Sequence, residues 1–215
     1  MTAPAILPLG ETALTIRLAE TASIEVAEQC AEIAERIRAA GIDGVREVVS
    51  AIASVTVFAG DRIPVAGLRA ELERVLAHTP SGATTTRTFA THTIPTRYDG
   101  VDLDEVAERV KLDRDEVIRR HASREYRVLS IGFMPGWGYL GPLDAALALP
   151  RRSTPRTRIP AGAVAIMGAQ TGIYPRVSPG GWNLIGTTNA VLFDATRTQP
   201  ALFRAGDRVR FAQIS

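Results

Sequence analysis

The chain has 215 residues, 46 % hydrophobic and 22 % charged with a formal net charge of +2. That balance excludes a disordered or collagen-like chain and is enough for one large domain or two small ones. Basic and acidic residues number seven and eleven before position 86 but eighteen and twelve after it, an asymmetry that implies two modules yet is too mild for a polynucleotide binder.

The opening MTAPAILPLGET has no basic leader, and no stretch reaches the ~18 apolar residues of a membrane span. With one cysteine, Cys30, there is no intramolecular disulfide framework, and a reducing cytoplasmic setting is expected. From Ala5 to Leu18 the pattern predicts a strand interrupted at Gly10, with Leu14, Ile16 and Leu18 on one face. A helix follows from an N-cap at Ser23 to Gly41, its buried stripe made of Val26, Cys30, Ile33 and Ile37. Cys30 on that stripe reads as a small core residue. The β-branched runs VREVVSAI and SVTVFAG predict two strands across a tight turn, and Leu68, Leu72, Val75 and Leu76 mark a second helix. The order β-α-β-β-α predicts helices on one face of a small antiparallel sheet.

The polar stretch TPSGATTT (79–86) is the best boundary, giving an α+β domain over 1–82 and a second domain over 83–215. TRTFATHTIPTRY reads as extended. Asp102 with Glu105, and Asp113 with Glu116, have the spacing of capping boxes and predict helices over 103–110 and 114–121. After Tyr126, the short apolar runs RVLSIGF, AVAIMG, WNLIGTT, AVLF and RVRF alternate with Gly/Pro turns, which predicts an all-β barrel or sandwich.

Three turn-rich segments carry most of the information: GFMPGWGYLG (132–141), GAQTGIYP (168–175) and SPGGWNLIGTT (178–188). They hold both tryptophans, Trp137 and Trp182, together with Tyr139 and Tyr174. Glycine permits close backbone approach and proline stiffens the loop, so the rings form either flat walls for a small molecule or the packing of barrel corners. Gly136 to Gly141 formally matches G-x-G-x-x-G, but prolines flank it and no strand-helix-strand unit surrounds it, so a dinucleotide site is rejected. The only lysine, Lys111, has no glycine-rich loop before it, which excludes a G-x-x-x-x-G-K-[ST] phosphate loop.

PRRSTPRTRIP (150–160) sets Arg151, Arg152, Arg156 and Arg158 among prolines. This is either a clamp for a carboxylate or phosphate, a solvated basic loop, or a dock for an acidic partner. His78 and His92 have no chemical neighbours in the sequence. His121 ends a helix, where a protonated imidazole complements the helix dipole. No metal-ligand cluster, serine-hydrolase elbow or complete triad is present in these spacings.

The segments SIGFMPGWGYLG, LPRRSTPRTRIPAGAVAIMGAQTGIYP, SPGGWNLIGTTNAVLFD and ALFRAGDRVRF together resemble the allophanate hydrolase subunit 1 family, which includes the 5-oxoprolinase subunit PxpB and the kinase inhibitor KipI. The opening ILPLGETALTIRL and the middle DLDEVAERVKLDRDEVIRRHAS extend the likeness over nearly the whole chain. The resemblance implies an N-terminal α+β sandwich followed by a cyclophilin-like β-barrel. It also implies a non-autonomous subunit that cleaves 5-oxoproline to glutamate with PxpC-like and PxpA-like subunits and ATP. Alternatives within the family are restraint of a sensor histidine kinase and the carboxyl-transfer chemistry of urea and allophanate. In such a site His121 and Gln170 are the candidate catalytic residues, with His121 moving a proton near neutral pH. Trp137, Arg156, Thr171, Tyr174, Gly180, Gly181 and Trp182 are the candidate substrate-binding residues, as aimed donors and walls. The chain departs from the family pattern at Trp137-Gly138, where a Phe-Pro pair is expected, at Ala163, where a serine is, and at Thr187, where an arginine is.

Overall fold

The computed structural model describes residues 4–60, 63–77 and 89–215, and the chain divides into two compact units, residues 1–88 and 89–215. His78 and the boundary stretch 79–86 lie outside the described residues.

The first unit is β1 (Ala5–Leu9), β2 (Ala13–Arg17), α1 (Ile24–Ala39), β3 (Val45–Ser50), β4 (Ser54–Ala59) and α2 (Val65–Ala77). Its sheet runs β1-β2-β4-β3, antiparallel throughout. The single strand expected over 5–18 is a hairpin, because Gly10 takes φ +63°, a conformation glycine adopts without a Cβ penalty, and turns the chain back on itself. Ser23 caps α1, its Oγ accepting the Val26 N–H at 3.2 Å. Leu14, Ile16, Val55 and Val57 alternate inward and meet Cys30, Ala34 and Ile37 of α1 and Leu68 and Leu72 of α2. Cys30 is wholly buried, and desolvation pushes its thiol up to about 11, leaving it an inert core residue.

The second unit contains β5 (Thr91–Thr96), α3 (Leu103–Val110), α4 (Arg114–Ala122), β6 (Glu125–Ile131), β7 (Gly138–Gly141), β8 (Arg156–Ile159), β9 (Ala163–Met167), β10 (Gln170–Ile173), β11 (Ser178–Gly180), β12 (Asn183–Thr187) and β13 (Arg208–Gln213). Seven strands form one sheet in the order β12-β9-β10-β7-β6-β13-β5, while β8 and β11 pair as a separate ribbon. The two ends of the large sheet meet where Arg97 and Thr187 exchange both backbone hydrogen bonds, at 2.9 and 2.7 Å, so the barrel is nearly closed. Backbones approach so closely at this seam that a side chain on Gly186 would strike the Arg97 carbonyl, and only glycine fits.

Strand alternation gives the sheet two dissimilar faces. Val164 and Ile166 of β9, Ile173 of β10 and Leu140 of β7 face the main core, which α3 and α4 enter through Leu103, Val106 and Val117. Ala163 and Ala165 of β9 and Leu184 of β12 face the opposite way, toward Trp137, Tyr174, Trp182 and Ile159. Asp113 caps α4 as its spacing predicts, accepting the Glu116 N–H at 2.7 Å. Asp102 makes no such bond at the start of α3, because its carboxylate turns to other partners described below.

Candidate functional site

The turn-rich segments converge on one aromatic cluster. Trp137, 2 % exposed, stands at its centre and meets Tyr174 at 4.8 Å, Trp182 at 5.0 Å and Tyr139 at 5.7 Å between ring centroids. All three contacts are edge-to-face, the orientation the ring quadrupoles favour. Two glycines make room for these rings: a side chain on Gly172 would overlap the Trp137 ring at 2.9 Å, and one on Gly180 would collide with the Tyr174 hydroxyl. The buried Trp137 indole Nε1 has no hydrogen-bond partner among the described residues. On the rim, Phe133 is exposed, holds φ +64° and packs edge-on against Trp137 at 5.5 Å.

The segment 150–152 is stitched to this cluster through the turn before β12. The Arg152 N–H donates to the Gly181 carbonyl at 2.8 Å, and the buried Asn183 amide donates to the Pro150 and Ile166 carbonyls at 3.2 and 3.3 Å. The Trp182 backbone N–H donates to the Tyr174 phenol oxygen, while burial, the largest influence, raises the phenol above its ordinary range.

Beside the cluster lies a buried ionic node. Asp102, 2 % exposed, accepts both guanidinium nitrogens of Arg156 at 2.6 and 2.8 Å, Arg152 at 3.0 Å and the Leu184 N–H at 2.7 Å. Arg152 also bonds Glu105 at 2.8 Å, which holds that carboxyl below its usual range. A carboxylate with four donors has no reason to cap a helix, which is why the Asp102 capping box fails. Arg156 is therefore not free to act as the carboxylate or phosphate clamp that is one reading of its segment, nor as the candidate substrate-binding donor, since its fork is already filled by Asp102.

His121 is wholly buried on the other face of the sheet. Its Nδ1 faces the Tyr98 hydroxyl at 2.8 Å and its Nε2 the Thr171 hydroxyl at 2.9 Å. Because Thr171 donates its own proton to the Ala165 carbonyl, it must accept from Nε2–H, so Nδ1 accepts from Tyr98. This neutral tautomer is fully satisfied, and desolvation pushes the imidazole down to about 3. The expected carrier of a proton near neutral pH is instead a sealed structural node. The expected protonated group at a helix end fails for the same reason, the lack of water.

The sheet thus divides the residues singled out from the sequence. Trp137, Tyr174, Gly180, Gly181 and Trp182 stand together on the aromatic face, whereas His121 and Thr171 bond each other on the core face. Gln170 shares the aromatic face by alternation, but it pairs with Met167 beside the turn at Gly168, roughly 13 Å along β10 from Tyr174. Ala163 is buried in the aromatic cluster, and the Thr187 hydroxyl donates to Asp99 at 2.7 Å. Sequence reading missed Asp102, whose capping-box spacing concealed its role. Four arginines in eleven residues were the available signal that a buried anion stood nearby.

Residues 4–203 match the carboxyltransferase domain family, subdomain C and D. The chain is 39 % identical over 206 residues to the 5-oxoprolinase B subunit of Haemophilus influenzae, covering 96 % of each chain. It is 38 % identical over 221 residues to the Bacillus subtilis protein of the same name, covering 96 % of this chain and 91 % of that one. The crystal structure of TTHA0988 superposes with a TM-score of 0.84 at 39 % identity, covering 94 % of this chain and 39 % of that chain. The present chain therefore spans about two fifths of that longer protein. Urea carboxylase of Kluyveromyces lactis shares the fold, with a TM-score of 0.71 at 19 % identity over 98 % of this chain and 23 % of that one. Because the match runs through both units and takes in every strand of the barrel sheet except β13, the chain belongs to the carboxyltransferase domain family, subdomain C and D.

Proposed function

We propose that the chain is the B subunit of an ATP-dependent 5-oxoprolinase, cytoplasmic and inactive alone, working with PxpC-like and PxpA-like subunits to convert 5-oxoproline to glutamate. The observation that carries this reading is 39 % identity over 96 % of both chains to a relative named as the 5-oxoprolinase B subunit. The aromatic cluster supports it chemically. A five-membered lactam is flat and mostly apolar on its faces, and because Trp137, Tyr174 and Trp182 are buried against one another, it is the exposed rim of the cluster, at Phe133, that offers such a ring an apolar surface.

Hydrolysis of a lactam is slow because the amide carbonyl is a poor electrophile, and ATP serves by phosphorylating the carbonyl oxygen before water attacks. Residues 136–141 do not fit a phosphate cradle, since Gly138–Gly141 is strand β7 and no helix begins there. In this reading the chain binds and orients the lactam, and ATP is a co-substrate of the assembly.

The test is co-expression of the chain with PxpC-like and PxpA-like proteins, followed by assay of glutamate release from 5-oxoproline with ATP. Turnover is expected only when all three are present. Turnover by the isolated chain, or failure to co-purify with a PxpC-like protein, overturns the subunit reading. Activity toward urea or allophanate in place of 5-oxoproline moves the chain to the carboxyl-transfer branch.

A further inference from the structure

The four arginines of residues 150–160 are not equivalent in the fold. Arg152 and Arg156 are both engaged by buried Asp102. Arg151 and Arg158 are exposed and meet no hydrogen-bond or ion-pair partner among the described residues. Of these two, Arg151 is placed beside the aromatic cluster by its neighbours. The Arg151 Nε and Nη2 atoms stand 3.6 and 3.7 Å from the position that a Gly181 side chain would occupy, so the guanidinium lies in van der Waals reach of the Gly181 backbone, next to Trp182 of the cluster. Its charge also acts on the Tyr174 phenol.

The backbone carrying Arg151 is fixed on both sides, by the Asn183 bond to Pro150 and by the Arg152 bond to Gly181. A free planar fork on a fixed backbone is the arrangement that recognises a carboxylate in two-point fashion. Tyr174 adds a neighbouring donor, because its oxygen already accepts the Trp182 N–H and its own proton is left to give.

We propose that Arg151 is the residue that anchors a substrate carboxylate at the edge of the aromatic cluster, over Gly180 and Gly181, and so selects carboxylate-bearing lactams over neutral ones. This rests on the lactam-carboxylate reading of the site given above. Arg156 acts one step removed, as the positioning partner that holds Asp102 and β8 in place.

The experiment compares wild type, Arg151→Ala and Arg151→Lys in the reconstituted three-subunit complex, with 5-oxoproline and with its uncharged carboxamide. Losing a charged hydrogen-bond pair weakens binding by about 10- to 100-fold. Arg151→Ala is therefore expected to raise KM for 5-oxoproline by about that factor, with kcat changed less than about threefold and the carboxamide unaffected. Arg151→Lys, which keeps the charge but loses the fork, is expected to fall between. An unchanged KM for 5-oxoproline, or an equal rise for both compounds, overturns the proposal while leaving the 5-oxoprolinase reading intact. If the wild-type complex does not turn over 5-oxoproline, that reading fails. Calorimetric titration of the full chain with small carboxylates then decides: binding lost in Arg151→Ala supports the anchor, and no Arg151-dependent binding overturns it.

Discussion

Replacing Asp102 by asparagine keeps the side-chain shape but removes the charge and turns one accepting oxygen into a donor, so it breaks the buried node without changing its volume. In the folded chain the Asp102 oxygens receive three bonds from two guanidiniums and one from the Leu184 N–H. Removing one partner of a buried pair costs about 3–5 kcal/mol, because the opposite charge stays behind uncompensated. The Arg152 and Arg156 side chains are 25 % and 28 % exposed, so water takes up part of that loss and the lower end applies, about 3 kcal/mol. For a protein of this length that corresponds to a melting point lower by roughly 6–12 °C. Urea and thermal unfolding at pH 7 of wild type, Asp102→Asn, Arg156→Met and the double variant read the effect directly. The cycle should return a coupling of about 2 kcal/mol or more that changes little in 0.5 M salt, since a buried pair is weakly screened. A coupling below about 0.5 kcal/mol would refute the argument and leave Asp102 a mere partner of the Leu184 amide.

Three further outcomes follow from the geometry. His121 stays neutral in the folded chain down to about 3 but titrates near 6.5 when unfolded, so acid protonates the unfolded state first. Its effect on stability is absent above pH 6.5 and grows as pH falls toward 3, amounting to about 2 kcal/mol lost between pH 6.5 and 5. Urea unfolding across that range should show a flatter slope for His121→Gln, and parallel slopes would contradict the buried neutral imidazole. Gly180→Ala places a methyl against the Tyr174 hydroxyl and Ile159, an overpacking worth about 1–3 kcal/mol. Adding Tyr174→Phe removes the struck oxygen and should recover part of the loss in urea midpoint; no recovery would mean that the close approach is not the cause. Trp137→Phe discards an orphaned N–H worth about 1–3 kcal/mol along with some ring volume, so the two effects offset within about 1 kcal/mol. Trp137→Ala should cost about 3–5 kcal/mol by the same measurement, and equal costs for the two variants would count against the orphaned donor.

Much of the fold was legible because local patterns carry it. The Leu68, Leu72 and Val75 spacing gave α2, the Asp113 cap gave α4, and the alternation of SVTVFA gave β4. The hairpin at Gly10 was half visible, since a glycine inside an alternating run marks either a bulge or a turn and only the pairing of Ile6 with Ile16 decides between them. The site was legible as composition but not as arrangement. Period-two alternation shows that Thr171 and Gly172 face opposite ways, but not which face meets His121 and which meets Trp137. Nor can spacing reveal that Asp102, 54 positions before Arg156, fills that arginine's fork. Long-range pairing of charges is fixed by the nearly closed barrel, and no local signal encodes it.

That nearly closed barrel also bears on the chemistry available to the chain. Hydrolysis of a phosphorylated lactam needs a group to activate water, and a histidine near neutral pH is the usual agent. Of the described histidines, His121 is sealed on the core face and His92 is paired with Asp207 at 3.1 Å and packed edge-on against Phe203. The carboxylates beside the aromatic cluster, Asp102 and Glu105, are held by Arg152 and Arg156. The groups at the edge of the aromatic face, the Tyr174 phenol and the Arg151 guanidinium, are suited to holding an anion and not to taking a proton from water at pH 7. On the proposed function, the base must come from another subunit, and substitutions on the aromatic face should move KM more than the pH dependence of kcat. A pH profile of the complex whose acidic limb shifts in Tyr174→Phe would show instead that this chain supplies the proton acceptor.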